Sequence, residues 1–97
     1  MRVYVRFFTI LREVTGKKEE ILQFPKDKEV TVNRVLNRLT EKHGKAFDEY
    51  VYDHRTHEVK SFLQFLVNGR SVSSSKGTET ELSDGDILAI VPPVSGG

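Results

Sequence analysis

Apolar and polar residues alternate from Arg2 to Phe8, with Val3, Val5 and Phe7 on one face and Tyr4, Arg6 and Phe8 on the other. A period of two predicts a strand, with the valine–phenylalanine face turned to the core. Thr9 to Val14, with Ile10, Leu11 and Val14 apolar, predicts a short helical turn stopped at Gly16. Lys18 to Phe24 starts charged and ends apolar, which predicts a second strand paired with the first and ended by Pro25 and the polar Lys26-Asp27-Lys28-Glu29 segment. The period then changes. Val32, Val35, Leu36 and Leu39 fall at i, i+3, i+4 and i+7, the stripe of an amphipathic helix from Val32 to Lys42. Thr31 can cap it, Lys42 and His43 suit its last turn, and Gly44 can supply a left-handed stop. Ala46 to Tyr52 is ambiguous, with Phe47, Tyr50 and Val51 spaced for a helical turn. Asp53 to Lys60 is polar and predicts a loop.

Phe62 to Val67 predicts a strand, and Asn68-Gly69 is a strong signal for a two-residue hairpin returning through Arg70 to Ser73. Ser74 to Glu81 predicts a loop around Gly77. Ser83-Asp84-Gly85-Asp86 is a turn that delivers a last apolar strand, Ile87-Leu88-Ala89-Ile90-Val91. This last strand is expected beside the first, as a parallel pair at the sheet centre. One main helix on one face of a mixed sheet of four to five strands is the α+β layout of a β-grasp, although other small α+β arrangements fit the same pattern.

Ninety-seven residues suit one domain. The expected division is a folded body over residues 1–91 and a flexible tail over 92–97. A net charge of +1, from 15 basic and 14 acidic residues, argues against a nucleic-acid or membrane partner recruited by charge alone. With no cysteine there is no disulfide, thiolate metal site or catalytic thiol. Arg2 and Arg6 in the first strand speak against a signal peptide, and no apolar run reaches membrane-spanning length, so a cytoplasmic location is expected. No nucleophile–base pair, phosphate-binding glycine loop or dinucleotide fingerprint is present.

The candidate chemistry lies at Pro92-Pro93-Val94-Ser95-Gly96-Gly97. Proline cannot join a sheet ladder and favours extended backbone. Glycine has no Cβ, so the last two residues can enter a channel too narrow for others. Val94 to Gly97 span at most about 13–14 Å, enough to cross such a channel while the folded body stays outside.

Asn68-Gly69-Arg70, Leu82-Ser83-Asp84-Gly85-Asp86 and the Pro92–Gly97 ending together resemble the MoaD/ThiS family of ubiquitin-like sulfur carriers. Val3 to Phe8 followed by Leu11-Arg12-Glu13-Val14-Thr15-Gly16 resembles the opening of MoaD. The similarity runs from Arg2 to Gly97 and is weakest over Lys42 to Ser61, a longer stretch of the kind found in the archaeal branch, which includes the small archaeal modifier proteins. The resemblance implies a substrate protein and not an enzyme. A ubiquitin-activating-type enzyme would use ATP to turn the Gly97 carboxylate into an acyl adenylate, and a sulfur donor would convert that to a thiocarboxylate. No bound cofactor is implied. The implied partner is then a MoaE-like synthase subunit that builds the molybdopterin dithiolene. In the modifier branch, the partner is a target-protein lysine instead.

Phe8, Leu66, Ala89 and Val91 are expected on the sheet face away from the helix, as a partner-docking patch near the tail. Two positions depart from the MoaD pattern: Val91 where Phe often precedes the prolines, and Ser71 where an apolar residue is common. Both reduce the apolar area for a MoaE-type interface and keep the modifier reading open. His54 and His57, beside Asp53 and Glu58, lack the anchored third ligand of a metal site and are expected to be a polar loop. His43 is expected to be a simple charge partner at the helix end. Asp84 and Asp86 flank Gly85 in a turn, where aspartate bonds local backbone, and a structural role is expected for them. The eight lysines, Lys17, Lys18 and Lys60 among them, are expected to be ordinary surface residues.

Overall fold

The computed structural model describes residues 1–26, 28–72 and 77–93. In chain order the elements are β1 (Arg2–Phe7), α1 (Ile10–Thr15), β2 (Glu19–Gln23), α2 (Val32–His43), α3 (Lys45–Val51), β3 (Gln64–Val67), β4 (Arg70–Ser71) and β5 (Ile87–Val91), with one 3₁₀ turn at Gly77–Glu79. The five strands form one sheet in the order β2-β1-β5-β3-β4. β1 and β5 are the parallel pair, with Phe7 opposite Ile90, and the other pairings are antiparallel. This is the β-grasp layout.

The two periodicities meet in one core. Val32, Val35, Leu36 and Leu39 of α2 are all fully buried, as are Val3, Val5, Phe7, Leu88 and Ile90 of the central strands, and Phe65 is 7% exposed. Val67 is partly buried and packs against the same cluster. Thr31 caps α2 by accepting from the Arg34 amide at 3.2 Å, satisfying one of the amides a helix start leaves open. Asn68 and Gly69, at φ 51° and 85°, form the hairpin turn that joins β3 to β4. α1 ends on Gly16 in the left-handed region.

Several bounds differ from the sequence expectation. β3 starts at Gln64, because the Leu63 amide turns back to the Lys60 carbonyl at 3.2 Å. β4 covers Arg70–Ser71, after which Val72 bonds Phe65 across the hairpin at 3.1 Å. Ser73, the expected end of β4, lies outside the described residues. Gly44 has φ 77° but an extended ψ of −152°. It breaks the helix and at once starts α3, because its amide donates to the Thr40 carbonyl and its carbonyl accepts from Asp48. The ambiguous Ala46 to Tyr52 segment is therefore helical over Lys45–Val51, and Tyr52 ends it in an extended conformation. Phe47 and Val51 are buried, and Tyr50 is half-buried.

A buried carboxylate ties α2 to β2. Glu20 sits on the inward face of β2 with its side chain only 2% exposed. His43 Nε2 lies 2.7 Å from its Oε1, and the Lys42 ammonium faces Oε2 as an ion pair without hydrogen-bond alignment. Lys17 adds a third positive group at 3.8 Å. Burial works against ionisation, but Lys42, His43 and Lys17 outweigh it and hold the carboxyl below its ordinary value. A depressed carboxyl pKa contributes stability above the unfolded value and loses it as pH falls through the folded one. Acid titration followed by circular dichroism is therefore expected to show stability falling below pH 4.5, the ordinary value of this group. Glu20→Gln should flatten that fall, and an equally steep fall in the variant would assign it to other carboxylates.

Candidate functional site

The candidate segment follows β5, the strand at the middle of the sheet. Its core face, Leu88 and Ile90, is fully buried, so the strand cannot slide without exposing both. Its start is fixed by a small polar lock. Asn68 Nδ2 donates to Asp86 Oδ1 at 2.9 Å, and Asn68 Oδ1 accepts from the Ile87 amide at 2.9 Å. The Ser83 amide donates to Asp86 Oδ2 and the Arg2 amide to Asp84 Oδ1, each at 2.7 Å. Asp84 and Asp86 thus hold backbone, as the turn pattern implied. At the other end Pro92 is buried and Pro93 exposed. The prolines therefore begin in the core and end in solvent. Val94, Ser95, Gly96 and Gly97, the expected reacting segment, lie outside the described residues.

The open face of the sheet carries the predicted docking residues. One row crosses all five strands, Glu19–Arg6–Ala89–Leu66–Ser71, as read from the strand registers. Leu66 and Val91 are half-exposed on this face, and Phe8 is half-exposed at the end of β1. Ala89 lies on it but is 8% exposed. Its methyl is flanked in register by the longer Arg6 and Leu66 and forms floor more than contact surface. Ile21, 51% exposed, belongs to the same face and was missed by the sequence reading. Strict alternation with the inward Leu22 would have placed it there. Ser71 is exposed at the edge, and Arg6 pairs with Glu19 at 3.0 Å, so the face is apolar at its centre and polar at both margins.

Thr9 separates this face from α1. It has φ 50° and ψ −124°, a region glycine normally occupies, and the Leu11 amide reaches the Phe8 carbonyl at 3.1 Å across it. The turn stops β1 sharply and leaves Phe8 at the rim beside the end of β5.

His54 Nε2 is 3.8 Å from Asp48 Oδ2, on the exposed loop side of α3. His57 lies in the same loop at φ 63°. Among the described residues, no three His, Cys, Asp or Glu side chains are grouped to hold a metal ion. His43, expected to be a lone charge partner at a helix end, instead belongs to the buried Glu20 cluster. No described helix is long and apolar enough to cross a membrane.

Residues 5–97 match the ThiS family. The chain is 36% identical to small archaeal modifier protein 3 of Haloferax volcanii over 97 residues, covering all of both chains. The crystal structure of small archaeal modifier protein 1 from Haloferax volcanii superposes with a TM-score of 0.84 at 27% identity, again over the whole of both chains. A putative molybdopterin converting factor subunit 1 from Pyrococcus furiosus superposes with a TM-score of 0.72 at 30% identity, covering 97% of this chain and 99% of that one. The relatives share the β-grasp body, and the family match takes in the Pro92–Gly97 segment whole. This chain belongs to the ThiS family of ubiquitin-like proteins.

Proposed function

We propose that this protein is a sulfur carrier whose Gly97 carboxylate is activated and then thiolated, acting as the small subunit of molybdopterin synthase. The observation that carries the reading is the handover from β5 to the proline pair: a strand locked at the sheet centre, Pro92 buried, Pro93 exposed, and two glycines beyond. In the first step a Gly97 carboxylate oxygen attacks the α-phosphorus of ATP held by a ubiquitin-activating-type enzyme. Pyrophosphate leaves and an acyl adenylate forms. Sulfur delivered by the donor as hydrosulfide then attacks the acyl carbon, the acyl–phosphate bond breaks, AMP leaves and the S–H proton is lost, giving the thiocarboxylate. The Gly97 carboxylate is the protein's one reacting group in these steps. The rest of the chain contributes position, which dominates when an in-line approach to phosphorus is required. The similarity to the Pyrococcus protein supports the synthase role.

A second reading is favoured by the end-to-end similarity to small archaeal modifier protein 3 and by the polar Ser71 margin of the open face. There a target lysine amine attacks the activated Gly97 carbonyl, AMP leaves, the amine loses a proton and an isopeptide bond forms. Intact mass of the protein drawn from its native cells separates the two. A species heavier by the exchange of oxygen for sulfur supports the carrier. Conjugates with a Gly97–lysine bond and no thiolated form support the modifier, and only free acid in growing cells contradicts both.

The open face is the proposed seat for the activating enzyme or synthase partner. Phe8→Ala or Leu66→Asp is expected to weaken that binding with little loss of fold, since both side chains are only half-buried. Calorimetry against the partner checks it. Unchanged affinity with a sharply lowered melting temperature would assign both side chains to structure alone.

A further inference from the structure

β5 runs parallel to β1, with Phe7 opposite Ile90, and antiparallel to β3, with Gln64 opposite Val91. The segments that leave β1 and enter β3 therefore surround the root of the tail. Those segments expose Ile10 at 39% and Phe62 at 44%, two large apolar side chains on the surface. α1 and α3 pack together at this same end.

Two cations are fixed there by aromatic rings. The Arg12 guanidinium lies 5.4 Å from the Phe8 ring centre. Lys60 Nζ lies 5.8 Å from the Phe62 ring and 5.9 Å from the Tyr50 ring, and those rings meet edge to face at 6.0 Å. Each cation donates to a backbone carbonyl, Arg12 Nε to Phe7 at 2.9 Å and Lys60 Nζ to Glu49 at 2.8 Å. Neither forms an ion pair with a carboxylate among the described residues, whereas Glu19 and Glu49 nearby are each paired, with Arg6 and Lys45. Aromatic faces and carbonyls hold the two charges in place without neutralising them. Glu13, exposed on α1, only partly offsets them.

We propose that this end of the molecule is a second docking surface, meeting the open sheet face at Phe8, and that it receives the acidic lip of the adenylating enzyme's tail channel. The inference rests on the activation reading and adds the partner's chemistry to it. A tail of at most about 13–14 Å forces any enzyme that draws in Gly97 down onto the rim from which the tail springs. That rim offers two fixed positive charges around exposed Ile10 and Phe62, so its complement is acidic around an apolar centre. Such charge pairing steers encounter and rejects wrong partners more than it adds raw affinity.

The test is ATP–pyrophosphate exchange driven by the full chain with the ubiquitin-activating-type enzyme of the same cells, with the chain concentration varied. Lys60→Glu and Phe62→Ser are each expected to raise KM for the chain by about ten-fold or more at unchanged kcat, the scale of lost steering. Lys28→Glu, exposed beyond the far end of β2, is expected to leave KM unchanged. The wild-type KM should also rise with sodium chloride, which reads the same charges without any substitution. An unaltered KM in variants that melt like the wild type, or a wild-type KM indifferent to salt, overturns the inference and leaves activation standing. Absence of exchange by the wild-type chain overturns the inference and the activation reading together.

Discussion

Leu36→Ala is expected to destabilise the protein by about 2–5 kcal/mol, measured by urea unfolding at neutral pH. Leu36 is fully buried at the middle of the α2 stripe, between Val32 and Leu39, in one core with Val3, Val5, Phe7, Leu88 and Ile90, which are themselves fully buried. Alanine there removes three carbons and leaves a cavity that two regular elements cannot collapse to fill. Stability of small domains is itself only about 5–15 kcal/mol, so this one change takes a large share of it. Ile21→Ala is the matched control. It removes a similar volume from a side chain 51% exposed on the open face and should cost only a few tenths of a kcal/mol. Equal losses at the two positions would mean that the sheet faces are inverted.

The body was legible in the sequence because its two periods are nearly unbroken. Val3, Val5 and Phe7 alternate without exception, and the α2 stripe has no polar intrusion, so strand, helix and facing follow from spacing alone. Asn68-Gly69 and Asp84-Gly85-Asp86 were legible because each turn has its own chemistry. What spacing could not supply was the polar interior. Glu20 sits in the inward register of β2, but a carboxylate is assumed to face water unless its partners are known. Those partners, Lys42 and His43, come from a helix end more than twenty residues away in sequence. The cations over Phe8, Phe62 and Tyr50 escaped notice for a related reason. Lys60 and Phe62 lie in an irregular segment, and only the sheet register shows that it adjoins the tail root. The candidate docking residues of β3 and β5 share the open face as alternation implied, but Ala89 shows that face and accessibility are different properties.

The second large effect concerns Gly97. Deleting it is expected to abolish adenylation while leaving the melting temperature unchanged, since the described core is built from residues before it. The shortened tail would leave its carboxylate about 3.3–3.6 Å short of the α-phosphorus, a distance at which bond formation fails outright. Appending one residue with a side chain should do equal harm, by overshooting and by carrying bulk into a channel shaped for glycine. Gly96→Val should fail for a related reason, because a branched Cβ both widens the tail and restricts its backbone. Failure of all three with an intact fold would locate the chemistry in the geometry of the tail and not in its composition.

The most direct measurement is therefore ATP–pyrophosphate exchange with the partner activating enzyme, comparing the full chain with the Gly97 deletion at saturating concentrations of each. The account predicts robust exchange with the full chain and none above background with the deletion. Exchange at the full-chain rate in the deletion would contradict it, and would remove Gly97 from the chemistry under the carrier and modifier readings alike.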